Sequence, residues 1–198
     1  MVVTVINSLN IIDGFNGLAS GASIITFATM GILAAQNGDH ELVAVIALMV
    51  LVILGFFVVN FPKGLIFLGD GGAYFCGFAI SFISIFLLER NPEIEPTILF
   101  VILAYPLIEI IFSIFRKTLR KGHRPDRPDR LHFHMLLYRK LRTSNSTSFI
   151  NTNAKTGIYL QLIPLSGTLF VFFDFNDKTY NLLYFIGVSL IYLRLYRK

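Results

Sequence analysis

The feature that most constrains this chain is a succession of long apolar runs separated by short polar breaks. Residues 14–38 carry no charged side chain, 42–61 is an uncharged run of 20, and 71–88 is uncharged over 18. Residues 97–115 hold a single charge, Glu109, and 158–173 extends for 16 residues with Pro164 inside. A sixth run, 179–193, has only 15 residues, short enough to pair with the fifth as a hairpin. A membrane-crossing helix needs about 20 mostly apolar residues, and inside lipid the backbone must satisfy its own hydrogen bonds. The pattern therefore predicts an all-α, polytopic transmembrane bundle of five to six spans. Charged residues make up 15% of the chain and hydrophobic ones 55%, against about 25% charged in a soluble domain. Disorder, a collagen-like repeat and a soluble globular domain are excluded on that ground, and the lone Cys76 excludes a disulfide scaffold.

Charge sets the expected orientation. Ten of the 17 Lys and Arg residues fall within 116–142, and cytosolic loops carry the excess of positive charge. Threading the chain with that loop inside puts 15 of 17 basic residues on the cytosolic side and leaves only Arg90 and Lys178 outside. The acidic 89–96 loop then faces out. The net charge of +5 is thereby explained by a membrane rather than by nucleic acid, which is not expected as a partner. The chain reads as one membrane domain over 1–198. Residues 1–12 form the remnant of a cut span, 14–115 four spans, 116–157 a cytosolic basic loop, and 158–193 a C-terminal hairpin. Within the loop, 131–141 mixes Met135, Leu136, Leu137 and Leu141 with Arg139 and Lys140, the pattern of an interfacial amphipathic helix against membrane lipid.

The same threading brings three polar clusters to the cytosolic face. In the first, Asn7, Asn10 and Asp13 recur every three residues, one stripe of a helix, ending at Gly14-Phe15-Asn16-Gly17. Amide and carboxylate oxygens at that spacing can hold hydrated Mg²⁺ or the polar edge of a nucleotide. They equally suit a helix C-cap with asparagines bonding neighbouring helices. The second cluster is Leu68-Gly69-Asp70-Gly71-Gly72, just ahead of a span. Glycines let a diphosphate approach the backbone and a helix N-terminus favours anions, while Asp70 suits either a metal ligand or an ordinary N-cap. The third is 122–134, with Arg124, Arg127 and Arg130 for phosphate and His132 and His134 for phosphate binding or proton transfer. Its two prolines break any helix, and a basic loop on anionic headgroups is the plainer alternative. His132 and His134, two apart, are expected to diverge on a helix, and zinc is not expected. Glu109 beside Pro106 would fit an ion path in a transporter, but interhelical pairing accounts for it more simply.

Taken in order, NSLNIIDGFNGLASG (7–21), FPKGLIFLGDGGAYFCGF (61–78) and GHRPDRPDRLHFHMLL (122–137) resemble the polyprenyl-phosphate N-acetylhexosamine-1-phosphate transferases of glycosyltransferase family 4 type. The resemblance covers about 7–142. It implies transfer of a sugar-1-phosphate from a UDP-sugar to a polyprenyl phosphate, releasing UMP, in cell-envelope polysaccharide synthesis. It further implies Mg²⁺, with Mn²⁺ as the substitute, a multi-pass cell-membrane location, and an active site facing the cytoplasm. A homodimer is compatible with it. Asp13, Asp70, His132 and His134 would be the catalytic residues. Asn10 and Asp70 would hold metal, and Asn7, Asn10, Asn16, Gly71, Arg124, Arg127 and Arg130 would bind substrate. Three departures stand out. Asn16 occupies a position where many relatives carry a second Asp, and Met135 replaces a third histidine. The family's Asp-Asp-x-x-Asp motif lies upstream of the Asn7 cluster. The chain therefore reads as the C-terminal part of such an enzyme, expected to turn over poorly alone. The alternative is a non-catalytic membrane protein that keeps nucleotide or lipid-phosphate binding.

Overall fold

The computed structural model describes residues 1–119, 131–144, 149–173 and 176–197. Ten helices occur among the described residues, and no strand does. Three are long and apolar enough to cross a membrane: α2 (Leu18–Gln36), α3 (His40–Asn60) and α4 (Gly69–Arg90). They mark a membrane protein and form an up-down-up series joined by short turns. Asp39 starts α3 by accepting the Leu42 N–H on its side chain, the usual service of an aspartate at a helix N-cap.

The fourth and fifth apolar runs form broken helices. The fourth becomes α5 (Ile98–Ile102) and α6 (Ala104–Leu119), and the fifth is divided between α8 (Phe149–Leu160) and α9 (Leu162–Phe172). Both breaks have one cause. A proline has no N–H for the carbonyl four residues back, and its ring crowds that carbonyl. Four residues before Pro106 is Ile102, the last residue of α5, and four before Pro164 is Leu160, the last of α8. The 15-residue sixth run lies within α10 (Lys178–Tyr196), whose 19 residues extend about 28 Å at 1.5 Å each. The stretch expected as a basic loop, 116–157, is largely helical where it is described. α6 continues to Leu119, and α7 (Phe133–Ser144) and α8 pack against each other beyond it.

The N-terminal helix α1 (Val2–Ile12) is too short to span, yet Val5, Leu9 and Ile12 are fully buried. It packs against α4 and α6. Gly77 permits the close approach of α4, since a Cβ there would lie 2.6 Å from the Ile6 Cα. The two ends of the bundle differ in chemistry. At one end Arg90 grips Asp39 with two bonds of 2.7 Å and reaches Glu41 at 3.0 Å, and the Asn176 amide donates to the Glu93 carbonyl. At the other end lie the α1–α2 turn, the start of α4 and the start of α7.

Candidate functional site

The packing of α1 on α4 determines what meets at that second end. Asn10 is on the last turn of α1, Asp13 caps it, and Asp70 is in the first turn of α4. The Asn10 amide donates to Asp70 Oδ1 at 2.9 Å. Asp13 accepts the Gly69 backbone N–H and feels the charge of Asp70. Partial burial is the main reason its carboxyl is pushed up to about 6, the Gly69 N–H opposes the rise, and Asp70 adds to it. Asp13 also faces the negative end of its own helix, so the positive N-terminus of α4 is its nearest favourable partner. Asp70 is not the N-cap of α4. Leu68 holds that position without a side-chain hydrogen bond, and the Asp70 carboxylate turns to Asn10 instead. Gly71 is exposed, and a Cβ there would meet nothing within 4 Å.

Other residues of the first cluster go elsewhere. The Asn7 amide donates back to the Val3 carbonyl at 2.8 Å. Asn16 is buried, with 4% exposure, and works as a strut. Its side-chain N–H donates to the Pro62 carbonyl, and its backbone N–H donates to Asn153 Oδ1. Next to it Gly17, at φ +74°, donates its N–H to Asn60 Oδ1 at 2.6 Å. These bonds lash the α1–α2 turn to the end of α3 and to α8.

The histidines enter from α7. His132 precedes the helix and His134 is its second residue, so the 100° steps of a continuous helix do not separate them. Their rings stack within 3° of parallel, centroids 5.4 Å apart, contrary to the divergence expected from their spacing. His134 is fully buried, edge-on to Phe15 at 5.5 Å. Its Nε2 would lie 3.9 Å from a Cβ on Gly14, the residue after Asp13. Neither of its ring nitrogens has a hydrogen-bond partner among the described residues. Beneath both rings lies Glu109 of α6, 3.3 Å from His132 Nδ1 and 3.7 Å from His134 Nδ1. Arg116 ties the assembly to α10 by donating to the Leu131 carbonyl at 2.7 Å and the Tyr196 hydroxyl at 2.9 Å. Arg124, Arg127 and Arg130 lie outside the described residues. Sequence reasoning gave Arg116 no role, and its signal was only a cation at the end of a span.

Asp13, Asp70 and the Asn10 amide oxygen form a set of hard donors. No group of three or more His, Cys, Asp or Glu poised for a metal occurs among the described residues. Two carboxylates suit Mg²⁺ better than a metal that demands a full protein cage, because Mg²⁺ retains waters and takes substrate phosphates as ligands.

Residues 1–88 match glycosyl transferase family 4. A probable undecaprenyl-phosphate N-acetylglucosaminyl 1-phosphate transferase of Bacillus subtilis (strain 168) is 33% identical over 67% of this chain and 37% of its own length. Undecaprenyl-phosphate alpha-N-acetylglucosaminyl 1-phosphate transferase of Yersinia pestis is 34% identical over 75% of this chain and 42% of its own. The protein of that name from Escherichia coli O157:H7 is 30% identical over 94% of this chain and 51% of its own. The chain thus spans about half or less of the length of these curated relatives. No solved structure matches. Through its residues 1–88 the chain is thus similar to glycosyl transferase family 4, and over the matched stretches it is 30–34% identical to these transferases.

Proposed function

We propose that this chain carries part of the site that transfers a sugar-1-phosphate from a UDP-sugar to a polyprenyl phosphate, on the cytosolic face of the cell membrane. The observation that carries the reading is the meeting of Asn10, Asp13 and Asp70 where α1 ends and α4 begins. The names of its relatives supply the acceptor, undecaprenyl phosphate, and the N-acetylglucosaminyl 1-phosphate group. An N-acetylhexosamine donor follows from these names.

The chemistry joins two anions. An oxygen of the lipid phosphate attacks the phosphorus that bears the sugar, the bridging P–O bond of the diphosphate breaks, and UMP leaves with that bond's electrons. Mg²⁺ held by Asp13, Asp70 and the Asn10 amide would neutralise the diphosphate and stabilise the leaving phosphate. The side chains prepare the rest. Asn10 orients the Asp70 carboxylate through its 2.9 Å bond. The open face over Gly71 admits a bulky diphosphate, and the N-terminal N–H groups of α4 favour its charge. His134 Nε2, buried beside the α1–α2 turn, is placed to donate to a phosphate oxygen when protonated and to accept from one when neutral. A site at a helix-end surface serves both a soluble nucleotide and a lipid headgroup.

Two measurements on the purified chain in detergent test the reading. Mg²⁺-dependent binding of UDP-N-acetylglucosamine should be present and should weaken at least about tenfold in Asp70→Asn, since even an outer-shell partner of a metal contributes that much. UMP release on adding undecaprenyl phosphate, with the N-terminal half of a relative supplied in trans, then distinguishes transfer from binding. Nucleotide binding without UMP release identifies the non-catalytic alternative, and no Mg²⁺-dependent binding defeats both.

A further inference from the structure

Glu109 is buried in α6 with 1% exposure, and the reaction outlined above gives it no contact with substrate. Four groups converge on its carboxylate, with the Tyr192 hydroxyl of α10 also near it. Oε1 accepts the Phe133 backbone N–H at 3.1 Å and the Tyr105 hydroxyl at 3.4 Å. His132 Nδ1 lies 3.3 Å from Oε2, and His134 Nδ1 lies 3.7 Å from Oε1, a charge contact longer than a hydrogen bond. A carboxylate removed from water is tolerated only where donors or opposite charges meet its oxygens. Tyr105 and Phe133 would serve Oε1 alone, so the imidazoles complete the set.

Both rings present Nδ1 to this one carboxylate, and their parallel stacking leaves Nε2 on the far edge of each. For His134 the far edge is the one beside Gly14, next to Asp13. A carboxylate at one ring nitrogen holds the proton there and leaves the other nitrogen as the working atom. We infer that Glu109 is a positioning residue, fixing His132 and His134 as Nδ1–H tautomers and so aiming a basic Nε2 of His134 at the Asp13–Asp70 site. The inference rests on the functional reading only in naming that site as the place of phosphate transfer. A mere pin between α6 and α7 needs only the Phe133 N–H and the Tyr105 hydroxyl, and would leave the tautomers unconstrained.

Nitrogen NMR of the chain labelled with ¹⁵N-histidine, in detergent micelles, reads this directly. At a pH high enough for the ring signals to be those of neutral imidazole, the nitrogen shifts report which nitrogen bears hydrogen. Of the four histidines, exposed His40 provides the ordinary Nε2–H signature, and His132→Gln and His134→Gln assign the others. The wild-type chain should show Nδ1–H forms for His132 and His134. Glu109→Leu should return both to Nε2–H, whereas Glu109→Gln, with one carbonyl oxygen, should retain one. Wild-type rings in the Nε2–H form overturn the inference without any variant, so a leucine variant that fails to fold does not protect it. Unchanged tautomers in a folded Glu109→Leu overturn it as well. The readout involves no substrate. Nδ1–H rings in a chain that shows no Mg²⁺-dependent nucleotide binding would uphold the placement while the functional reading falls.

Discussion

At the scale of single residues, Asp70 separates two roles that its sequence context leaves open. It caps no helix, so Asp70→Asn should lower thermal stability only by what one neutral hydrogen bond contributes, about 1 kcal/mol, while Mg²⁺-dependent nucleotide binding collapses. A large loss of melting temperature with binding intact would return Asp70 to a structural role. The opposite end offers a pH test. Arg90 holds the Asp39 carboxyl at about 2, below its unfolded value of 3.8, mainly by hydrogen bonding. Because the folded value is the lower one, the pair's stabilising effect is complete above about pH 4 and fades as pH falls toward 2. Asparagine also caps helices well, so Asp39→Asn removes the charge and keeps the cap. Its melting temperature should fall below wild type near neutral pH, and the two should converge near pH 2. A gap that persists at low pH would show that geometry, not charge, stabilises the pair. The sequence singled out Asn10, Asp13 and Asp70 beside their glycines, and the fold brings the three together. Asn16 shows the opposite. Its type and place suggest a ligand, but burial against Pro62 and Asn153 made it a strut, and a single sequence does not report burial of one polar residue inside a turn.

At the scale of elements, apolar run length anticipated α2, α3 and α4 closely, and the two internal prolines located the breaks in the next two runs. The arrangement of the histidines was missed because α7 begins at Phe133, so one ring precedes the helix and the other belongs to it. Helical phase applies only within an element, and its first residue is the least predictable point. The partner of those rings was seen only as an isolated carboxylate, since 23 residues separate Glu109 from His132. The α1–α4 contact makes its own prediction. Gly77→Val puts side-chain atoms where the Ile6 backbone stands, an overpacking that costs about 1–3 kcal/mol. It should also spread Asp13 from Asp70, so Mg²⁺-dependent nucleotide binding should fall along with stability. Gly187→Val, where a Cβ meets nothing within 4 Å, is the control and should leave binding unchanged. Equal loss in both variants would detach the helix contact from the site.

For the whole molecule, the arrangement of charge yields a test of orientation. Glu93 belongs to the end with Arg90 and Asp39, and Lys155 is on α8, beside the α1–α2 turn at the other end. Cys76 is buried, so introduced cysteines dominate labelling. In intact cells a membrane-impermeant thiol reagent should modify Glu93→Cys and spare Lys155→Cys. The reverse pattern would invert the threading drawn from the positive-inside asymmetry and move the proposed site to the outer face. The polar end is built from segments distant in sequence, and that has a consequence for how the chain is made. Glu109 leaves the ribosome 25 residues ahead of His134, and at about 5–20 residues per second it waits about one to five seconds for its last partner. Through that interval α6 offers the bilayer a carboxyl with no imidazole beside it, at an insertion cost of about 3 kcal/mol if charged at mid-depth. The span that carries Glu109 is thus made before the imidazoles that meet its carboxylate, and a chain interrupted between these residues lacks them.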